Sequence, residues 1–255
     1  MSEIQLVVQG DDLGMCHAVN EGIQQAFEEG ILRQTVAMAP CPWIDEAAAF
    51  VKASGIHAGM HCTLTSEWDF LRWRPFTDGA SLREADGTFH RTLEASMAEL
   101  DGEEAAAELE AQHAHLSSLG IAPSYFDCHM GPTSRAAFDH VVEKYERPFL
   151  YPLASSHYAF ESSHMLSPMP AREKLDWLLG YIDGLTPGTH YLCTHPGTAG
   201  IELASITRPE APNFRFAEEY RVSDLDVLTH SAVRDRIDAR GIELTTVEGM
   251  RPKSK

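Results

Sequence analysis

The N-terminal part of the chain contains, at residues 4–30, the stretch IQLVVQGDDLGMCHAVNEGIQQAFEEG. Its first segment, Ile4–Gln9, is a short apolar run, which is typical of a buried strand. The segment Met15–Glu29 places Val19 and Ile23 on one face of a helix. The stretch therefore predicts a strand, a turn that carries two aspartates, and a helix, which is the repeating unit of an α/β protein.

The same unit recurs along the chain. Further strands are predicted at Gln34–Met38, Ile56–Thr63, Tyr125–His129, Phe149–Tyr151, His190–Thr194 and Ile242–Val247. Further helices are predicted at Ile44–Lys52, Glu103–Leu119, Ala136–Lys144, Ala171–Ile182 and Ala232–Arg240. The alternation of about seven strands with helices predicts a parallel sheet with helical crossovers. An open doubly wound sheet and a closed barrel both fit this pattern, and we expect an irregular (β/α) TIM-like barrel.

Two polar segments interrupt the alternation. The segment at 66–102 is rich in Trp, Gly and Asp at its start, and we expect an inserted loop there. The segment Leu153–Pro170 is also predicted as a loop. Because no internal repeat or Pro/Ser-rich linker divides the chain, we expect a single domain over residues 1–255.

The composition limits the classes of partner. The 255 residues include 38 acidic and 20 basic side chains, which give a net charge of -18. Such a charge repels nucleic acids and anionic membranes, and no apolar run approaches the roughly 18 residues of a membrane span. The five cysteines include no C-x-x-C pair, so we expect reduced thiols and a cytoplasmic location.

Five side chains suited to metal binding or proton transfer lie at the carboxyl ends of predicted strands. They are Asp11, Asp12, His61, His129 and His195. The carboxyl ends of parallel strands share one face, and active sites of this architecture form there. One carboxylate and two imidazoles can hold a divalent metal with open positions for water and substrate, and the second carboxylate can act as general base. His195, in the turn before Pro196-Gly197, is placed to protonate a leaving nitrogen.

The segment Ser66–Phe76 combines aromatic and charged side chains, and it follows the candidate ligand His61. Aromatic faces pack on sugar C–H groups and arginine bonds hydroxyls, so a sugar-binding rim is one interpretation. On that interpretation the substrate-binding residues are Trp68, Arg72, Trp73 and Arg74. A lid over the barrel mouth or a contact in a homodimer fits the segment equally well.

Several motifs taken together resemble those of one protein family. They are Asp11-Asp12-Leu13-Gly14 with Val19–Ile23, Gly59–Thr65, Asp127–His129 and Thr194–Gly197. In order and spacing they are similar to the YdjC-like carbohydrate deacetylases, the group that contains chitooligosaccharide and hopanoid-sugar deacetylases. The resemblance implies an irregular β/α barrel, one divalent metal ion, either Mg or Zn, and release of acetate from a small N-acetylated saccharide.

The resemblance also implies roles for individual residues. Position by position, it makes Asp11 the general base and makes the metal ligands Asp12, His61 and His129. It implies that His195 stabilises and protonates the departing amine. Two alternatives stay open: a metal-dependent hydrolase that acts on a different acyl substrate, and a non-catalytic sugar-binding barrel with a structural metal.

Overall fold

The computed structural model describes residues 4–131, 134–150 and 156–250. The strands are β1 (Ile4–Leu13), β2 (Gln34–Ala37), β3 (His57–Cys62), β4 (Phe126–Cys128), β5 (Ser162–Met165), β6 (Gly188–Thr194) and β7 (Glu243–Thr245). The helices are α1 (His17–Glu28), α2 (Ile44–Ser54), α3 (Leu93–Glu99), α4 (Gly102–Ser118), α5 (Arg135–Tyr145), α6 (Ala171–Gly184), α7 (Ile201–Ala204), α8 (Phe214–Ala217), α9 (Glu219–Leu228) and α10 (Ser231–Arg240). Among these helices, none is both long enough and apolar enough to cross a membrane.

The strands form one parallel sheet with β1 near its centre. The strand order over the described ranges is β4-β3-β2-β1-β6-β5, and β7 pairs with the N-terminal part of β1. Every pairing between these strands is parallel, so their carboxyl ends all lie on one side. The sheet curls into a half-barrel with β4 and β5 as its edges. The expected α/β fold with a parallel sheet is therefore confirmed.

The two faces of the sheet carry different cores because side chains alternate along a strand. Leu6 and Val8 of β1 pack in the large core that lies beneath the helices. Val7 points the other way and packs with Tyr125 and Tyr191 on the inner face of the half-barrel. Every second side chain of each strand therefore points to the inner face. These side chains are apolar near the middle of the strands and polar near the carboxyl ends.

Three segments differ from the expectation based on sequence. Strand β5 lies inside Leu153–Pro170, which the sequence predicts as a loop; its side chains are mostly exposed, so it lacks the apolar pattern of a buried strand. Phe149 forms a single bridge with Phe126 where the strand Phe149–Tyr151 is expected, and Tyr151 lies outside the described residues. The short helices α7 to α9 occupy a region for which the pattern predicts no element.

The segment expected as an inserted loop is packed against the rest of the fold. It contains a short 3₁₀ helix, Ala80–Leu82, and helix α3. Both of its tryptophans, Trp68 and Trp73, are buried and belong to the main core. This packing fixes the segment beside the carboxyl end of β3.

Candidate metal centre and active site

The candidate residues converge on the inner face of the sheet, at the carboxyl ends of the strands. They border one cavity of about 530 Å³, whose lining includes Asp11, Asp12, His61, His129 and His195. These residues are far apart in sequence, and the parallel pairing of β1 with β2 and β6, and of β3 with β4, brings them together. The structure thus brings together the five side chains that the sequence singles out.

Asp12 reaches the same cavity as Asp11 because β1 is irregular near its end. In a regular strand, adjacent side chains point to opposite faces. Here the pairing of β1 with β2 changes register between Gly10 and Leu13, and Asp12 has a backbone φ of 72°. This left-handed conformation is uncommon for a residue other than glycine, and such conformations cluster at functional sites. It turns a second carboxylate into the cavity.

Asp12, His61 and His129 form a compact group of possible metal ligands. Oδ1 of Asp12 lies 3.4 Å from Nε2 of His61 and 3.2 Å from Nδ1 of His129. Ligand atoms around a tetrahedral zinc ion are about 3.3 Å apart, given bond lengths near 2.0–2.1 Å. Oδ1 of Asp12 is buried and has no hydrogen-bond partner among the described residues, as expected of an atom whose partner is a cation. The three side chains therefore fit a divalent ion, and their N₂O donor set suits zinc or a similar transition ion.

Charged neighbours keep Asp12 ionised, which is the state that a metal ligand requires. Burial would raise the pKa of Asp12, but the Arg221 guanidinium and the two histidines outweigh burial and hold that pKa well below its usual range. Nη2 of Arg221 donates to Oδ2 of Asp12 at 2.6 Å, which leaves Oδ1 for a metal. On the other side, Nε2 of His129 lies 3.0 Å from Oε2 of Glu67. A carboxylate behind a ligating histidine orients its ring and makes it a better ligand.

Asp11 is held apart from the metal group as a candidate base. Its Oδ1 accepts a hydrogen bond from Nε2 of Gln9 at 2.8 Å, and its Oδ2 lies 3.9 Å from Nε2 of His61. Burial raises the pKa of Asp11 to about 7, although His61 opposes the shift. A carboxylate with such a pKa is a stronger base than an exposed aspartate, as general-base catalysis near neutral pH requires.

A buried chain of polar groups stands behind His195. Its Nδ1 lies 2.7 Å from Oγ of Ser167, and that hydroxyl donates to Oδ2 of Asp224 at 2.6 Å. Nζ of Lys174 donates to Oδ1 of Asp224 and opposes the rise that burial causes in the pKa of this carboxyl. Since the single hydroxyl proton of Ser167 goes to the carboxylate, Nδ1 of His195 must be the protonated nitrogen. Nε2 of His195 therefore faces the cavity with its lone pair, and burial lowers the pKa of this histidine to about 3.

A second polar network lies deeper on the inner face. Nε2 of Gln9 also donates to Oδ2 of Asp127 at 2.7 Å, while Oε1 of Gln9 accepts from Gln34 and from the Tyr125 hydroxyl. Burial raises the pKa of Asp127 to about 7. Gln9 thus links two carboxylates, and it positions Asp11 relative to Asp127.

The structure separates the four aromatic and basic residues predicted to bind substrate. Trp68 lines the cavity. Trp73 is buried beside it, where its Nε1 donates to the carbonyl oxygen of Thr65 and its ring lies 6.0 Å from that of His129. Arg72 uses its guanidinium to bond groups within its own segment, including Glu84, and Arg74 is exposed. The role of these four residues in substrate binding stays a prediction.

Comparison with known proteins assigns nearly the whole chain to one family. A family model described as YdjC-like protein matches residues 5–239. The chain belongs to the YdjC-like family. This YdjC-like chain is 33% identical over 261 residues to a carbohydrate deacetylase of Thermus thermophilus, an alignment that covers 91% of the chain and 94% of that relative. It is 35% identical over 251 residues to a chitooligosaccharide deacetylase of Yersinia enterocolitica, with coverage of 94% and 96%.

Solved structures show that the YdjC-like fold is shared more widely. A crystal structure of an Enterococcus faecalis V583 protein matches with a TM-score of 0.78 at 20% identity, covering 98% of this chain and 99% of the other. A peptidoglycan N-acetylglucosamine deacetylase matches with a TM-score of 0.58 at 11% identity, covering 99% and 90%. At these identities the likeness establishes the fold.

Several residues of the YdjC-like site escape prediction from the sequence. They are Gln9, Glu67, Asp127, Ser167, Arg221 and Asp224. Arg221 and Asp224 lie on α9, which shows almost no amphipathic pattern because it is buried on several sides. Gln9 and Asp127 could have been found from the sequence, because side chains two positions apart along extended backbone face the same side. Gln9 lies two positions before Asp11 on β1, and Asp127 lies two positions before His129, which directly follows β4.

Proposed function

We propose that this YdjC-like protein is a metal-dependent hydrolase that removes the acetyl group from an N-acetylated sugar. The observation that carries the proposal is the group Asp12, His61 and His129, with Asp11 and His195 beside it in one cavity. A metal site with an adjacent base and an adjacent imidazole matches what amide hydrolysis needs. The relatives named carbohydrate and chitooligosaccharide deacetylases support a saccharide substrate.

Each of the five residues has its own role in the proposed reaction. When a divalent ion, Mg or Zn, is held by Asp12, His61 and His129, it supplies the Lewis acidity that activates water and polarises the amide carbonyl. Asp11 accepts the proton of the attacking water, and its raised pKa suits it to hold that proton. His195 delivers a proton to the departing nitrogen from Nε2.

The tautomer of His195 sets the order of proton transfers. Because Nδ1 carries the proton in the hydrogen bond to Ser167, Nε2 must gain a proton before it can donate one. Asp11, protonated in the first step, has its Oδ2 3.8 Å from this nitrogen. We infer that Asp11 passes the proton taken from water to Nε2 of His195, which then gives it to the amine, so the active site ends the cycle in its starting state.

The cavity suits a small saccharide. Its volume of about 530 Å³ lies within the range of roughly 300–1,000 Å³ that is usual for small-molecule sites. Trp68 and Phe216 line it, and the partly exposed ring of Phe216 offers an apolar face to sugar C–H groups. In this proposal Trp73 and Arg72 hold the start of the segment in place through their hydrogen bonds to the carbonyl oxygens of Thr65 and Ser66, and the exposed Arg74 contacts the outer part of the sugar.

The test is acetate release by chelator-stripped protein with Mg, Zn, Mn or Co restored separately. The substrates are N-acetylated mono- and disaccharides, with N-acyl amino acids as the comparison set. We expect metal-dependent acetate release from at least one sugar and none from the amino acids. Turnover of the amino acids alone would identify a different acyl substrate, and tight metal binding without any turnover would favour a binding protein.

A further inference from the structure

Cys193 lies in the wall of the active-site cavity and takes no part in the proposed reaction. It is on β6, two residues before His195, so both side chains face inward. Its Sγ lies 3.3 Å from Oδ2 of Asp11, and the same oxygen is 3.8 Å from Nε2 of His195. A thiol, a carboxylate and an imidazole therefore surround one point in the cavity.

The spacing of these three groups matches a metal site. Their ligand atoms all lie within 4.8 Å of one another. A tetrahedral zinc ion with bonds near 2.0 Å to oxygen and nitrogen and near 2.3 Å to sulfur has ligand atoms about 3.3–3.5 Å apart. The distance of 3.3 Å between Sγ and Oδ2 is close to this geometry, and the distance of 3.8 Å between Oδ2 and Nε2 needs to shorten by about half an ångström. The group is separate from Asp12, His61 and His129, with which it shares no ligand.

We propose that Asp11, Cys193 and His195 form a second metal site, selective for zinc and other thiophilic divalent ions such as cadmium, and that its occupation inhibits the enzyme. Sulfur is a soft ligand that zinc and cadmium accept, whereas magnesium strongly prefers oxygen. The inhibitory part rests on the proposed function, because the site takes both Asp11 and Nε2 of His195 out of proton transfer. The binding part stands without it.

The protonation state of the Cys193 thiol changes when a metal ion binds. Burial, together with the negative charge of Asp11, raises the pKa of the Cys193 thiol well above its usual range. The metal-free thiol is therefore protonated and a poor nucleophile. When a cation binds, the sulfur–metal bond forms as the thiol proton leaves to solvent, and no oxidant or reductant is involved.

The second site is the weaker of the two. Oδ2 of Asp11 lies 3.9 Å from Nε2 of His61, so an ion at the second site is close to an ion at the first. The two cations repel each other, which weakens binding of the second ion. Zinc is thus expected to fill the first site at low concentration and the second only in excess.

The binding test is a cadmium titration of the chelator-stripped full chain, followed by ultraviolet absorbance and by calorimetry. We expect two ions per chain, with the thiolate-to-cadmium absorption band appearing as the weaker site fills. In Cys193→Ser, which keeps a hydroxyl near Asp11, we expect one ion and no band. The matched control is Cys128→Ala, since Cys128 also lines the cavity but belongs to neither ligand group, and it should keep the band.

Variants of the first site make the test specific. In His61→Ala the stronger site is lost, and the band should then appear with the first ion added. Saturation of the wild type at one ion without a thiolate band would overturn the proposal, as would a band that survives in Cys193→Ser.

The activity test compares zinc at one equivalent and in excess. We expect excess zinc to inhibit acetate release by the wild type. We expect no such inhibition of Cys193→Ser, whose activity in excess zinc is compared with its own activity at one equivalent. Equal inhibition of both proteins would overturn the inhibitory role. If no acetate is released under any condition, the proposed function fails, while the cadmium stoichiometry still decides whether the second site exists.

Discussion

His129 and Glu67 form a buried pair in which Nε2 of the histidine lies 3.0 Å from Oε2 of the glutamate. The other ring nitrogen, Nδ1, lies 3.2 Å from Oδ1 of Asp12. Burial would lower the pKa of His129, but Glu67 and Asp12 outweigh burial and raise it to about 10. In the metal-free protein the ring is therefore protonated between two carboxylates, and a metal ion replaces the proton on Nδ1. Glu67 then keeps the ring oriented for the ion.

The role of Glu67 predicts the effect of Glu67→Gln on metal affinity. The amide keeps the size of the side chain but loses the charge that orients and polarises the histidine. We expect metal affinity to fall by about 10–100-fold, as for other carboxylates behind ligating histidines. Calorimetric titration of the chelator-stripped protein with zinc measures it. Glu110→Gln is the control, because Glu110 pairs with His140 on the surface, and an equal loss there would contradict the prediction.

Asp11→Asn tests the base. The variant keeps a side-chain oxygen for the hydrogen bond from Gln9, but it cannot accept the proton of water. We expect acetate release to be abolished while the first metal ion remains bound at Asp12, His61 and His129. Acetate production and zinc content measured on the same sample check both statements. Retained turnover would remove Asp11 from the role of base.

Ser167→Ala tests the chain behind His195. Ser167 bonds Nδ1 of His195 but does not line the cavity, so it acts by positioning the ring. Loss of a buried hydrogen-bond acceptor costs about 1–3 kcal/mol, so we expect kcat to fall about tenfold to a hundredfold with KM unchanged. Ser167→Thr should restore most of the rate.

The control for that prediction is a second serine bonded to a histidine. Oγ of Ser162 lies 2.8 Å from Nδ1 of His190, away from the cavity lining. Ser162→Ala should leave kcat near the wild-type value. A rise in KM without a fall in kcat in Ser167→Ala would show that Ser167 affects substrate binding instead.

The raised pKa of Asp127 predicts a pH dependence of stability in the metal-free protein. Burial raises this pKa from 3.8 in an exposed aspartate to about 7, so the folded state favours the protonated carboxyl. Its contribution to the free energy of unfolding is present below the unfolded pKa and is lost as the pH rises through about 7. Between about pH 5 and pH 8 we expect a loss on the order of 2 kcal/mol from this group.

Asp127→Asn removes that contribution because asparagine does not titrate. Denaturant unfolding of chelator-stripped protein at both pH values should show a smaller loss of stability in the variant than in the wild type. Asp11 titrates in the same range, and the charge of Asp127 helps to raise its pKa, so the substitution also reduces the loss that comes from Asp11 and changes the comparison in the same direction. Parallel losses in the two proteins would refute the assignment. A bound divalent ion should reduce the effect, since a nearby cation lowers the pKa of a carboxylate.

The regular part of the fold could be predicted because its signals are local. Apolar runs such as Ile4–Gln9 and the helical spacing of Met15–Glu29 appear in the structure as β1 and α1. Strand β5 escaped prediction because its exposed side chains lack a period, and its pairing with β6 comes from the backbone. Helix α9 was not predicted because it is buried on several sides. It therefore lacks the separation of apolar and polar faces by which a helix is recognised in a sequence.

The amino-acid sequence by itself determined the class of fold, the strand ends and the identity of the candidate metal and proton-transfer residues. It could do so because parallel strands bring their carboxyl ends to one side, whatever the length of the chain between them. Only the tertiary structure decided which groups surround those residues. Arg221 on Asp12 and the Ser167–Asp224 pair behind His195 come from segments with no local signature. Glu67 on His129 comes from Ser66–Phe76, whose pattern indicates a sugar-binding rim, a lid or a dimer contact and not a partner for a histidine. Their effect depends on distances of about 3 Å inside a buried site, where charges and hydrogen bonds act strongly, and such distances exist only once the whole chain has folded.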